Sequence, residues 1–160
     1  MSSIPHDLAA FLVEAKRRTY AGLDDDATVA TPLLAGSKQL EHRAPPYAYR
    51  DIYFGMEFFA GQETVSRNDR VIWSMSYSGG ARPEIADRDT ILAIYKFLRR
   101  ALLGVSVEEP LRGPRLFEQA GMTYRNEVEG SLDRFHGIEM VARHDGAPLH
   151  ELHYSGGLLR

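Results

Sequence analysis

The chain has 160 residues, 44% hydrophobic and 26% charged, a balance that folds as one packed domain and leaves no polar tract long enough to stay disordered. Its formal net charge of −3 lacks the positive field that draws proteins to phosphate backbones, so no direct nucleic-acid partner is expected. The absence of cysteine excludes disulfides, zinc-thiolate sites and thiol nucleophiles. With no basic leader and no apolar run of about 18 residues, a cytoplasmic location without membrane contact is expected.

In chain order, Leu8, Phe11, Leu12 and Ala15 fall on one helical stripe and predict a helix ending near Tyr20, with Ser3 as its N-cap and Pro5 in its entry. Asp24, Asp25 and Asp26 then read as a solvated loop, since they lack the spaced ligands and closing Glu of a calcium loop. From Ser37 to Ser78 the density of Tyr, Phe, Val and Ile predicts a strand meander, broken at Pro45, Pro46 and Gly55 and turned at Asn68 and Asp69. A second helix is capped by Asp87 or Asp89. Its stripe is Ile91, Ile94, Tyr95, Leu98 and Leu102, and it ends at Gly104 after Arg99 and Arg100. A helical turn is expected from Pro114 to Gly121, and strands from Thr123 onward.

Part of this order recurs in the residues themselves. Phe59, Gly61, Glu63, Val65, Arg67 and Asp69 return as Phe135, Gly137, Glu139, Val141, Arg143 and Asp145. Tyr49-Arg50-Asp51 with Gly55 is echoed by Tyr124-Arg125-Asn126 with Gly130, and Tyr77-Ser78-Gly79-Gly80 by Tyr154-Ser155-Gly156-Gly157. Such recurrence predicts an internal duplication, about residues 5–80 and 85–157. The expected fold is therefore α+β, two tandem helix-then-strands repeats related by a pseudo-twofold, with antiparallel sheet covered by helices on one face.

Strand alternation places Glu63 on one face with Phe59 and Val65, and Glu139 with Phe135 and Val141, so both carboxylates need partners. Arg50 and Arg125 are the candidates inside the repeat, and the pairs would then hold strands in register. Alternatively Glu63 and Glu139 line a shared cavity, binding a cationic or hydroxyl-bearing ligand or acting, with Asp51, as acid and base. Gly61 and Gly137 predict bulges or a ring covering the gap. The YSGG motifs read as turns that end strands, because the Lys and helix of a phosphate loop are missing. Trp73 reads as core or pocket wall. His150 and His153, three apart on a strand, point to opposite faces, so no joint metal site is expected. No GxSxG context supports a hydrolytic triad.

The motifs PLLAGS, YRDIYFG, FAGQE and WSMSYSGG, in this order after an amphipathic helix, resemble a bacterial domain family of unknown function, found alone or behind XRE-type helix-turn-helix regulators. The resemblance implies an effector-sensing or assembly unit and carries no catalytic residues with it. The readings left open are a small-molecule binding domain with its pocket between the repeats, an enzyme using Glu63 and Glu139, and an interaction domain that homodimerises through a sheet edge. The candidate ligand-binding residues are Tyr49, Arg50, Glu63, Trp73 and Tyr77 with Arg125, Glu139 and Tyr154. No cofactor or metal is called for.

Overall fold

In a computed structural model, described for residues 3–22 and 27–160, eight strands and two helices follow one another. The chain runs through α1 (Leu8–Arg18), β1 (Lys38–Ala44), β2 (Tyr47–Gly55), β3 (Phe58–Arg67), β4 (Arg70–Ala81) and α2 (Arg88–Leu102). It continues through β5 (Leu116–Gln119), β6 (Met122–Ser131), β7 (Arg134–Arg143) and β8 (Pro148–Leu158). The expected loop at Asp24–Asp26 lies outside the described residues. Among those that are described, no helix is long and apolar enough to cross a membrane.

All eight strands join one antiparallel sheet in the order β1-β2-β3-β4-β8-β7-β6-β5. The expectation of two tandem helix-then-strands repeats is overturned by this arrangement: the chain is mostly one continuous sheet with two helices laid on it. Pairing runs unbroken from Trp73↔Leu158 to Ala81↔His150 across β4 and β8. The core respects no division either. Leu8, Phe11, Leu12 and Ala15 of α1 pack with Trp73, Met75 and Tyr77 of β4 and equally with Phe135, Leu152 and Tyr154 of β7 and β8. The Trp73 and Phe135 rings stack with centroids 5.7 Å apart.

Both helices cover the same face of the sheet, because alternation gives that face the apolar residues of every central strand. On the open face, Gln62, Ser76, Ser78, His153 and Ser155 are exposed. In α2 the Asp87 carboxylate accepts from the Thr90 amide at 2.8 Å, and Ile91, Ile94, Leu98 and Leu102 are buried, as the stripe predicts. The start of α1 differs from expectation. Leu8 opens the helix, and Asp7 gives its carboxylate to the Tyr47 hydroxyl at 2.6 Å, so Ser3 stands outside and caps nothing.

Asn68 and Asp69 turn the β3–β4 hairpin with φ of 50° and 63°, the left-handed pair that Asn and Asp tolerate. The helical turn expected from Pro114 is instead the edge strand β5, pairing Leu116↔Arg125 through Gln119↔Met122. Four residues are too few to show strand alternation in a sequence. The YSGG glycines do not end strands either. Gly79 and Gly156 lie within β4 and β8, where a Cβ would strike the backbone of the facing strand.

Candidate functional site

Beneath the helices, the sheet carries a buried polar cluster that the alternation of β2, β3, β6 and β7 builds. Asp51 and Glu63 are direct cross-strand partners, as are Asn126 and Glu139. All four are buried, with Glu63 and Glu139 at 0% exposure. Lys16, on the inward stripe of α1, donates to Glu63 at 2.7 Å and to the Leu111 carbonyl at 2.7 Å. Arg112, in the segment before β5, donates twice to Glu139, at 3.0 and 2.9 Å. Tyr124 donates to Glu139 at 2.8 Å, and its hydroxyl accepts the Gly113 amide at 2.9 Å. His150 Nε2 stands 3.4 Å from Glu139, while His150 Nδ1 has no partner among the described residues.

Tyr77 and Tyr154 face each other across the β4–β8 seam and reach in opposite directions. The Tyr77 hydroxyl donates to Asp51 at 2.7 Å, and that of Tyr154 to Asn126 at 2.7 Å. Each ring must cross a neighbouring strand to get there, and Gly61 and Gly137 leave it the room. A Cβ on Gly61 would lie 2.5 Å from the Tyr77 hydroxyl oxygen, and one on Gly137 would collide with the Tyr154 ring. Gly61→Ala and Gly137→Ala are therefore each expected to cost about 1–3 kcal/mol by overpacking. A Tyr77→Leu background should relieve the part of the Gly61→Ala penalty due to the ring, leaving the part due to the Ile52 carbonyl, 2.7 Å from the added Cβ. Urea unfolding of the single and double variants checks this, and additive losses would refute the ring-over-glycine account.

One part of the cluster opens to solvent. A cleft of about 300 Å³ lies between α2 and strands β2 to β4, with Asp51, Tyr77 and Arg112 at its inner end. Tyr53, Phe59 and Tyr95 wall it, Leu98 and Leu102 of α2 cover it, and Lys38 and Arg99 stand at its mouth beside the exposed Met56. Tyr95 locks α2 over the cleft, donating to the Glu57 carbonyl at 2.7 Å and accepting the Ala81 amide at 3.3 Å.

Burial raises the Asp51 carboxyl, and the charge of Glu63 opposite it adds to the effect, against the Tyr77 hydrogen bond, Lys16 and Arg112. The balance lies at about 7. Burial also works to raise Glu139, but Arg112 and His150 overcome it and hold that carboxyl at about 2. Desolvation lowers the Lys16 ammonium and the adjoining Glu63 opposes it. Glu139 is thus locked in an ion pair, while Asp51, with no cation of its own, is raised toward neutrality.

Of the candidates read from the sequence, the ligand-binding candidate Tyr77 and the acid/base candidate Asp51 line this cleft. Glu63 and Glu139 are closed inside their ion pairs. Trp73 is fully buried core, its indole N–H donating to the Leu132 carbonyl at 3.2 Å. Tyr49 is core as well, and Tyr154 holds Asn126. Arg50 and Arg125 cannot serve the two Glu, because each is one residue away from the buried Asp51 or Asn126 and so emerges on the other face. There Arg50 pairs with Glu41 at 2.8 Å, and Arg125 is exposed. Sequence reasoning missed Lys16, Arg112, Tyr95 and the mouth cations. For Lys16 a signal existed: it continues the Leu8, Leu12 stripe by another four residues. Among the described residues, no three of His, Asp and Glu come together as a metal-binding group.

No curated protein and no solved structure matches the chain. A family described as Domain of unknown function (DUF5680) matches residues 51–159, from Asp51 at the inner end of the cleft through the whole of β8. The chain belongs to the DUF5680 family.

Proposed function

We propose that the domain binds a small organic molecule in the cleft between α2 and β2–β4, with Asp51 as the group that recognises it. The observation that carries this reading is a buried carboxyl, ionising at about 7, at the inner end of an aromatic-walled cleft. Concave sites with apolar walls and a few convergent polar groups are where small ligands bind. The likeness to bacterial domains carried behind XRE-type helix-turn-helix regulators supports an effector as the ligand. Its binding would tie α2 to the sheet, and that coupling could be passed to a partner module.

A thermal-shift screen over metabolites tests the proposal. A ligand at 100 times its Kd adds about 2.7 kcal/mol to stability. Leu98→Trp, which fills the cleft from α2, should abolish that response while leaving the fold intact by circular dichroism. A ligand that still stabilises the Leu98→Trp variant binds elsewhere and refutes this cleft. The same carboxyl favours a second reading, an enzyme in which Asp51 is the general acid or base. Product formed by the wild type and lost in Asp51→Asn would favour that over binding alone.

A further inference from the structure

The charges buried around the cleft do not balance. Asp51, Glu63 and Glu139 bring three carboxylates beneath the helices, whereas Lys16 and Arg112 bring two cations. His150 does not supply the third. Its Nε2 stands 3.4 Å from Glu139, on the side where Arg112 already pairs, and it makes no contact with Asp51 among the described residues. On the β6 side the balance closes, because the position matched to Asp51 is Asn126, whose amide is satisfied by Tyr154 and the Gly113 carbonyl. The deficit therefore sits at Asp51. Among the described residues, its one side-chain hydrogen bond comes from Tyr77, and Oε1 of the facing Glu63 has no partner.

Such a carboxyl either keeps a proton or takes a cation from outside. The surroundings suit a cation. Lys16 and Arg112 already lie over the rings of Tyr20, Trp73 and Tyr77, at 5.2 to 5.9 Å, and the Phe59 and Tyr95 rings also line the cleft. The mouth carries the opposite requirement. Lys38 stands over the Tyr53 ring at 6.0 Å and Arg99 lines the same end, and neither has an ion pair among the described residues. A bare amine would pass two cations to enter, whereas a molecule carrying an acid as well satisfies both ends.

We infer that the ligand of this cleft is a zwitterion, an organic amine joined to an acidic group, whose ammonium replaces the proton on Asp51 and whose acid faces Lys38 and Arg99. The inference rests on the cleft being the binding site. The groups that set its pH response are Lys16 on α1, Lys38 on β1, Glu63 on β3, Tyr77 on β4, Arg99 on α2, and Tyr20 and Arg112 on the connecting segments.

Three probes sharing one aromatic body separate the requirements: phenylalanine, phenethylamine and 3-phenylpropionate, measured by thermal shift and calorimetry at millimolar concentration. Phenylalanine should stabilise most, phenethylamine less and phenylpropionate not at all. Affinity for phenylalanine should rise about tenfold per pH unit up to about 7 and level off above it, as the proton it displaces is lost. Asp51→Asn, which recreates the Tyr154–Asn126 pair at Tyr77, should fold and lose the phenylalanine response. Lys38→Ala with Arg99→Ala should bring phenylalanine down to the level of phenethylamine.

The inference is overturned if phenylpropionate or phenethylamine matches phenylalanine, if Asp51→Asn still responds, or if no amine-bearing probe shifts the melting temperature. If these probes fail while another metabolite stabilises the wild type and not Leu98→Trp, the cleft stands and the zwitterion falls. A screen with no stabilising compound removes both.

Discussion

Arg112→Ala is expected to cost about 3–5 kcal/mol of folding stability, the penalty for leaving a buried carboxylate without its cation. Arg112 makes both of its donor bonds to Glu139, which is fully buried, and its guanidinium lies 5.2 Å from the centroid of Tyr20 and 5.9 Å from that of Tyr77. Tyr124 remains as a donor, but a neutral hydroxyl cannot replace a positive charge. Glu139→Gln should be costly too, since it leaves the buried Arg112 guanidinium without its anion although Gln still accepts from Tyr124. The double variant Arg112→Met with Glu139→Leu should recover much of the loss, because a buried pair is often exchangeable for apolar groups of like volume. Urea unfolding of the four proteins compares these losses. An Arg112→Ala loss below about 1 kcal/mol, the range of exposed pairs, would show that Glu139 finds water or another partner. The pH dependence has a fixed sign. Because Glu139 is held at about 2, below its ordinary 4.5, its contribution is present above 4.5 and disappears as pH falls from there to about 2.

Asp51→Asn should act in the opposite direction and stabilise the protein at neutral and alkaline pH. A carboxyl raised from 3.8 to about 7 binds more protons folded than unfolded, so stability falls as pH rises between those values and stays low above them. At 1.36 kcal/mol per pH unit, that span corresponds to roughly 4 kcal/mol when Asp51 is ionised. The variant keeps an acceptor for the Tyr77 hydroxyl and removes the uncompensated charge. Below pH 4 wild type and variant should have similar melting temperatures, and above pH 7 the variant should melt several degrees higher. Parallel curves across this range would mean that Asp51 titrates as an ordinary carboxylate. If a cationic ligand binds there, the domain gives up stability for recognition, as binding sites commonly do.

Much of the local structure could be read from the residues. Asp87 before the Ile91, Ile94, Leu98 stripe marks α2, Asn68-Asp69 marks a hairpin, and alternation puts Glu63 and Glu139 where a charge needs a partner. What could not be read was who that partner is. Proximity along the chain favours Arg50 and Arg125, but the period of two sends them to the open face. The true partners arrive from 47 residues away for Glu63 and 27 for Glu139, distances over which no sequence pattern fixes contact. The cleft was hidden for the same reason, since α2 and the β2–β3 hairpin meet only once the sheet has formed. Recurrent motifs also suggested two tandem helix-then-strands repeats, while the pairing of β4 with β8 and the shared core around Trp73 and Phe135 give mostly one large sheet with two helices.

The order of the strands has a consequence for assembly. β8, near the middle of the sheet, is the last of the eight to leave a ribosome, so β1–β4 can zip together early but β4 waits with a bare row of amides and carbonyls. Its closing contact joins Tyr77 to Tyr154, a long loop whose entropy must be spent before any seam contact forms. During that wait the apolar side chains of β4 are open to the β4 of another copy, the kind of exposure through which sheet proteins swap or aggregate. Completing the fold and covering its most adhesive edge are thus the same late event.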